Sequence, residues 1–226
     1  IRQYEKRLGR PIAILGDLQG PKIRIGIFKK TYVILKNNQR FVLDLNPKEG
    51  DQNRVFLPHK EIFKSVKKNN KILIDDGKII LNIDKVLSDQ IITEVLVGGK
   101  ISNKKGVNIP ETFVKMSSLT EKDMKDLKFC LDLSLDYIAL SFVQKAKDIN
   151  DLKKYVGNQT GIMAKFEKPM AIKNMDEILQ LCDAAMVARG DLGVEMPPEE
   201  VPIIQKRIVQ SCRDYGIPVV VATQML

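Results

Sequence analysis

From about Leu119 onward, short apolar runs alternate with stretches of helical period. Tyr137-Ile-Ala-Leu-Ser-Phe-Val143, Gly161-Ile-Met-Ala-Lys-Phe166, Ala184-Ala-Met-Val-Ala-Arg189 and Ile217-Pro-Val-Val-Val-Ala-Thr223 are nearly continuous apolar segments. Runs of that length without polar alternation predict strands buried on both faces. Helices are predicted between them. One starts near Thr120, where Thr120 and Asp123 form a capping-box pattern ahead of Met124, Leu127 and Leu131. A second begins near Ala146. A third carries Ile172, Met175, Ile178 and Cys182 on one face. A fourth follows Pro197-Pro198, with Val201, Ile204, Ile208, Cys212 and Tyr215 facing inward. Ile12-Ala-Ile-Leu-Gly-Asp17 reads as one more strand, after a short helix end near Tyr4. Strands alternating with crossover helices predict a parallel sheet covered by helices.

Residues 25–115 have a different texture. Thr31–Leu35, Arg40–Leu45, Lys71–Ile74, Lys78–Ile83 and Ile91–Val97 are strand-like, and Asp76-Gly77 is a hairpin turn signal. They predict an inserted all-β domain, barrel-like and compact, between the first strand (residues 1–24) and the remaining α/β part (residues 116–226). The insertion leaves at the carboxyl end of a strand, the face on which barrels place their active sites. A domain there is expected to act as a lid.

Charge sharpens this division. Residues 1–115 hold 23 Lys/Arg against 12 Asp/Glu, net +11, whereas residues 116–226 hold 14 against 16, net −2. A basic half attracts nucleic acid or a nucleotide phosphate. These lysines are scattered, with few aromatics among them for base stacking, so no nucleic-acid partner is expected. Cys130, Cys182 and Cys212 have no paired spacing. That argues against a disulfide framework and a zinc site, and for a reducing, cytoplasmic setting. No apolar run approaches the roughly 18 residues of a membrane span, and the charged residues before Ile12 do not resemble a signal peptide.

Lys165 and Glu167 lie two apart at the end of an apolar strand, so they point to the same side. The next strand runs into Arg189-Gly-Asp191, and the one after that ends at Ala222-Thr223. Successive parallel strands deliver these ends to one rim. Carboxylates from two strands, Glu167 and Asp191, suit a hard divalent cation with positions left open for substrate oxygens, which is how magnesium is held. Gly190 allows close backbone approach, and a following helix start attracts an anion. Lys165 then supplies positive charge where a phosphoryl group passes between oxygens.

Met163-Ala-Lys-Phe-Glu-Lys168, Met186–Glu195 and Ala222-Thr-Gln-Met-Leu226 closely resemble signature segments of the pyruvate kinase family. So do Asp17-Leu-Gln-Gly-Pro-Lys-Ile-Arg-Ile-Gly26, Asp75-Asp-Gly77, Lys104–Pro110, Leu119–Leu127 and Ser141-Phe-Val143. The resemblance is collinear over the whole chain. It implies a partial TIM (β/α)8 barrel of about five βα units, carrying an inserted β lid. It implies transfer of phosphate from phosphoenolpyruvate to ADP, giving pyruvate and ATP, with Mg2+ or Mn2+ as cofactor. Lys165 matches the lysine that stabilises the transferring phosphoryl group, and Glu167 and Asp191 match the magnesium ligands. Gly190 and Thr223 match substrate contacts, with Lys165 and Asp191. Arg24 and Lys105 match residues that meet nucleotide phosphates, and Asp75 or Asp76 would lie at the lid's edge. Asp17 and Leu18 match two positions of the family's K+ site. Lys22 stands where many members have glutamate, and a fixed ammonium there can replace the monovalent cation, so K+ independence is expected.

The family pattern also implies a longer, homotetrameric enzyme. The first two barrel strands, the last strand and a C-terminal domain are not among these residues. Two alternatives remain open on the sequence: a non-catalytic fragment, and a magnesium-dependent lyase or aldolase acting on a pyruvate enolate. His59, beside Pro58 and Lys60, is expected at the surface, and Ser141 is expected either to face the phosphate or to cap a helix.

Overall fold

Strand order in the α/β part follows chain order. Leu15–Leu18, Tyr137–Leu140, Gly161–Phe166, Ala184–Ala188 and Val219–Ala222 form one sheet in that sequence, with every neighbouring pair parallel. Each crossover therefore steps to the next position, without the reversal that a doubly wound sheet has at its switch point. That is how a (β/α) barrel is wound, and the sheet is part of one. The structure is a computed structural model that describes every residue except 111, 113, 115 and 223–226.

The strands are shorter than the apolar runs. Ile12 and Ile14 stay outside the sheet because side chains take their amides. Ile12 N–H donates to Glu5 Oε1 (2.9 Å) and Ile14 N–H to Asp136 Oδ2 (2.7 Å). Arg2 in the short helix Arg2–Leu8 reaches the same Asp136 at 2.8 Å.

Glu121–Asp132 begins on the expected capping box. Thr120 Oγ1 accepts from Asp123 N–H, and Asp123 Oδ2 accepts from Thr120 N–H at 2.9 Å and from its hydroxyl at 2.6 Å. The other oxygen of Asp123 accepts from Gly20 N–H at 3.1 Å. Ala146–Val156 buries Ile149, Leu152 and Val156, one face of a helix. The third expected helix is two short ones, Pro169–Lys173 and Met175–Leu179, meeting at Asn174. Asn174 leaves helical geometry, and its side chain donates to Gln144 O at 2.7 Å. Cys182 is buried but follows the second of these helices. Val201–Tyr215 buries Val201, Ile204, Ile208 and Cys212, but Tyr215 is exposed, its hydroxyl accepting from Gln180 Nε2.

Two compact units divide the chain. One is Ile1–Pro21, Ser117–Leu192 and Glu199–Leu226; the other is Lys22–Met116 with Gly193–Pro198. In the second unit, Arg54–Phe56, Arg40–Asp44, Gln90–Val97, Ile79–Val86, Lys71–Ile74 and Val107–Asn108 form a six-stranded sheet in that spatial order. Tyr32–Leu35 pairs with Gly99–Ser102. Alternate residues such as Ile79, Leu81 and Ile83 point into a core with Phe41, Leu43, Ile72, Ile74 and Ile91. The Lys71–Ile74 and Ile79–Val86 strands turn through Asp75, Asp76 and Gly77, all at positive φ. This unit is not wholly β: Lys60–Ser65 is a short helix that buries Ile62 and Phe63. His59, at its N-terminus, is half-buried rather than a surface residue, and burial lowers its pKa. Arg54 makes a two-pronged ion pair with the buried Asp44 and donates to the carbonyls of Asn46, Lys48 and Glu49, pinning that loop.

Candidate active site

Gly161–Phe166 is almost entirely buried, and the polarity of Lys165 breaks its apolar run. Glu167 follows the last strand residue. Lys165 Nζ lies 3.0 Å from Glu167 Oε1, 3.1 Å from each carboxylate oxygen of Asp17 and 2.8 Å from Ser141 Oγ. These residues come from the ends of three adjacent strands, in which Asp17 pairs with Ala139 and Ala139 with Met163. Ser141 is therefore a partner of the lysine rather than a helix cap. The cap expected of it belongs to Asp148, which accepts from the Gln144 and Lys145 amides at 2.9 and 3.1 Å.

Burial draws the Lys165 pKa down, but the charges and hydrogen bonds of Glu167 and Asp17 outweigh it, so the ammonium stands above its ordinary value. Glu167 is only 4% exposed. Burial raises its pKa; Lys165 and the Phe142 N–H (2.9 Å from Oε2) oppose that rise, while the charge of Asp191 adds to it. Asp191 thus acts electrically on Glu167. It sits with Gly190 in the first turn of Arg189–Glu195, a helix that starts directly after its strand. Arg189 Nε donates to Ala222 O at 2.9 Å, tying that turn to the next strand end. Leu18 is buried at the end of the first strand. Thr223 lies outside the described residues.

The other expected residues belong to the second unit. Ile23–Gly26 runs beside Lys104–Val107, with Ile25 N–H donating to Lys105 O, Lys104 N–H to Gly26 O and Val107 N–H to Ile23 O, each at 3.0 Å. Arg24 donates to Lys104 O at 2.9 Å. Lys105 Nζ lies 2.8 Å from Asp75 Oδ1, and Lys78 lies 3.4 Å from Oδ2. Of the two aspartates offered by the sequence, Asp75 is the one paired with Lys105. The Lys22 side chain is exposed and runs along Gly106, where an added Cβ would meet its Cε at 3.6 Å. Lys22, Arg24, Lys78 and Lys105 are thus gathered around the 104–106 segment with one carboxylate among them.

Lys105 holds the Asp75 carboxyl below its ordinary pKa, chiefly through their hydrogen bond. A depressed carboxyl stabilises the fold above its unfolded pKa, and that contribution is lost as pH falls through the folded value. Lys105→Met is therefore expected to move the Asp75 titration upward, read by carboxyl-carbon NMR, and to flatten the acid side of the stability profile. An unmoved titration would show that the pair does not form in solution.

Sequence reasoning missed the Phe142 amide as a partner of Glu167 and the bond from Gly20 to Asp123. Phe142 is non-glycine yet sits at φ 58°, and its only sequence signal is its place between a strand-end serine and Val143. The double role of Asp123 is invisible in a capping pattern, because Gly20 lies far away along the chain.

The family model of the pyruvate kinase barrel domain matches residues 1–226. The chain belongs to the pyruvate kinase family. A pyruvate kinase of Methylorubrum extorquens is 51% identical over 226 residues, covering 100% of this chain and 47% of that relative. Pyruvate kinases of Agrobacterium vitis and Corynebacterium glutamicum are 50% and 42% identical, again over the whole chain and 48% of each relative. The chain therefore spans about half the length of the curated pyruvate kinases it matches. Among the described residues, no helix is long and apolar enough to cross a membrane.

Proposed function

We propose that this chain contributes to a pyruvate kinase that transfers phosphate from phosphoenolpyruvate to ADP, giving pyruvate and ATP. The observation that carries the reading is the Lys165–Glu167–Asp17–Ser141 cluster, in which Glu167 and Ser141 are buried and Asp17 is exposed, with the charge of Asp191 acting on Glu167. The ammonium pairs with two carboxylates, Asp17 and Glu167, and Asp191 adds negative charge near Glu167, which suits a divalent cation. Among the described residues no three His, Cys, Asp or Glu side chains group as a ready-made metal cage. Magnesium takes one or two carboxylates and completes its shell with substrate oxygens and water.

Glu167 and Asp191 would hold Mg2+ or Mn2+, which when bound neutralises charge on phosphoryl and enolate oxygens. Lys165 keeps its proton, because its carboxylate neighbours stabilise the ammonium, and it presents that charge to the phosphoryl group in transit. Gly190 and Thr223 would contact the substrate, together with Lys165 and Asp191. Arg24 and Lys105 would meet the nucleotide phosphates, a role supported by the basic cluster around residues 104–106. The inserted β unit would then serve as a lid. Cytoplasmic location suits three free cysteines, and the complete enzyme is read as a homotetramer.

The test is a coupled assay for ATP from phosphoenolpyruvate and ADP, run on these 226 residues and on the complete reading frame that contains them. Magnesium-dependent ATP formation by the complete protein supports the reading; none, from folded protein, ends it. The monovalent site is read as Asp17 and Leu18, with Lys22 supplying the charge in place of K+. Turnover in potassium should then match that in sodium within about tenfold, a difference of about 1.4 kcal/mol. Stronger potassium stimulation would reject the role given to Lys22.

A further inference from the structure

We infer that Phe142 is a positioning residue for the Glu167 carboxylate, held in a strained backbone conformation by Gly20 and Lys168. The inference rests on the reading of Glu167 as a ligand of the divalent cation. Phe142 sits at φ 58°, the left-handed region that a residue with a bulky side chain seldom occupies. Backbone of this kind persists only where the surroundings fix it, and it gathers at functional sites. Here it turns the Phe142 N–H toward the site, where it donates to Glu167 Oε2 at 2.9 Å. Glu167 Oε1 is 3.0 Å from Lys165 Nζ. The two contacts hold the two oxygens at different partners and so fix the plane of the carboxylate.

The Phe142 ring is fixed from two directions. A Cβ built on Gly20 would lie 2.8 Å from Phe142 Cδ2, so the ring occupies the space that only a glycine leaves there. Gly20 is itself at φ 69°, and its N–H is held by the fully buried Asp123. Lys168 Nζ lies 5.2 Å from the ring centroid, within cation–π range. A line of contacts therefore runs from Asp123 through Gly20 and the Phe142 ring to the Phe142 amide and Glu167. Removing the ring leaves the strain without its support, so the amide swings away and one carboxylate oxygen loses its partner.

The experiment measures Mn2+ binding to the complete protein by electron paramagnetic resonance, which needs no turnover. Phe142→Ala is expected to weaken Mn2+ about tenfold, the loss of one charge-assisted hydrogen bond, while Phe142→Tyr, which keeps the ring, stays within about twofold of the parent. Gly20→Ala, which pushes the ring from the other side, is expected to weaken Mn2+ in the same direction. KM for ADP should hold in all three. Unchanged Mn2+ affinity in folded Phe142→Ala overturns the inference; should that variant not fold, unchanged affinity in Gly20→Ala does so. Glu167→Gln separates the two levels. If it abolishes Mn2+ binding while Phe142→Ala does not weaken it, only the positioning role falls. If Glu167→Gln binds as the parent does, the metal reading falls and this inference with it.

Discussion

Lys165→Met in the complete protein is expected to lower turnover of phosphoenolpyruvate about 10³-fold, close to 4 kcal/mol in the barrier. The ammonium is set among Glu167, Asp17 and Ser141. Its removal takes away the charge that offsets a phosphoryl group in transit. It also leaves the buried Glu167 without its closest counter-charge, so that carboxyl is expected to protonate more readily. Lys165→Arg keeps the charge on a wider, planar head that cannot reproduce a point contact with four oxygens, and should recover only part of the loss. Glu167→Gln serves as a comparison, because it removes a proposed metal contact and leaves the ammonium. Turnover of folded Lys165→Met within about tenfold of the parent would remove Lys165 from the chemistry.

The second large effect concerns stability. Asp123→Ala should destabilise the barrel unit by about 1.5–5 kcal/mol. Loss of the carboxylate half of the capping box accounts for about 0.5–2 kcal/mol of this, and a buried Gly20 N–H left without an acceptor for about 1–3 kcal/mol more. Thr120→Ala removes only the hydroxyl half of the capping box and should cost about 1 kcal/mol. Hydrogen exchange at the Gly20 amide separates the two, because Asp123→Ala exposes that amide and Thr120→Ala does not. If both variants cost the same and the Gly20 amide stays protected, the bond to Gly20 carries no stability.

Some of this was legible in the residues and some was not, for physical reasons. Gly161–Phe166 could be read to the residue, because glycine opens it and buried side chains fill it. The Thr120–Asp123 box was legible because capping is local in sequence. The break at Asn174 was not, since Ile172, Met175 and Ile178 keep helical spacing on both sides of it. Arg54–Phe56 and Val107–Asn108 were missed because two or three residues have no measurable period. In the site, Lys165, Glu167 and Asp191 were conspicuous as charges ending apolar strands. The backbone of Phe142 and the partner of Lys105 were hidden, because a dihedral angle and a contact across a fold leave no periodic trace.

Asp123 has one more consequence. It joins Gly20, where the chain leaves the barrel, to Thr120, where it returns. The intervening stretch is therefore a closed loop whose two ends meet at the Asp123 carboxylate. The entropy of closing that loop grows only slowly with its length. The clasp thus gathers both ends of the insertion onto one helix cap, whatever the length of chain between them.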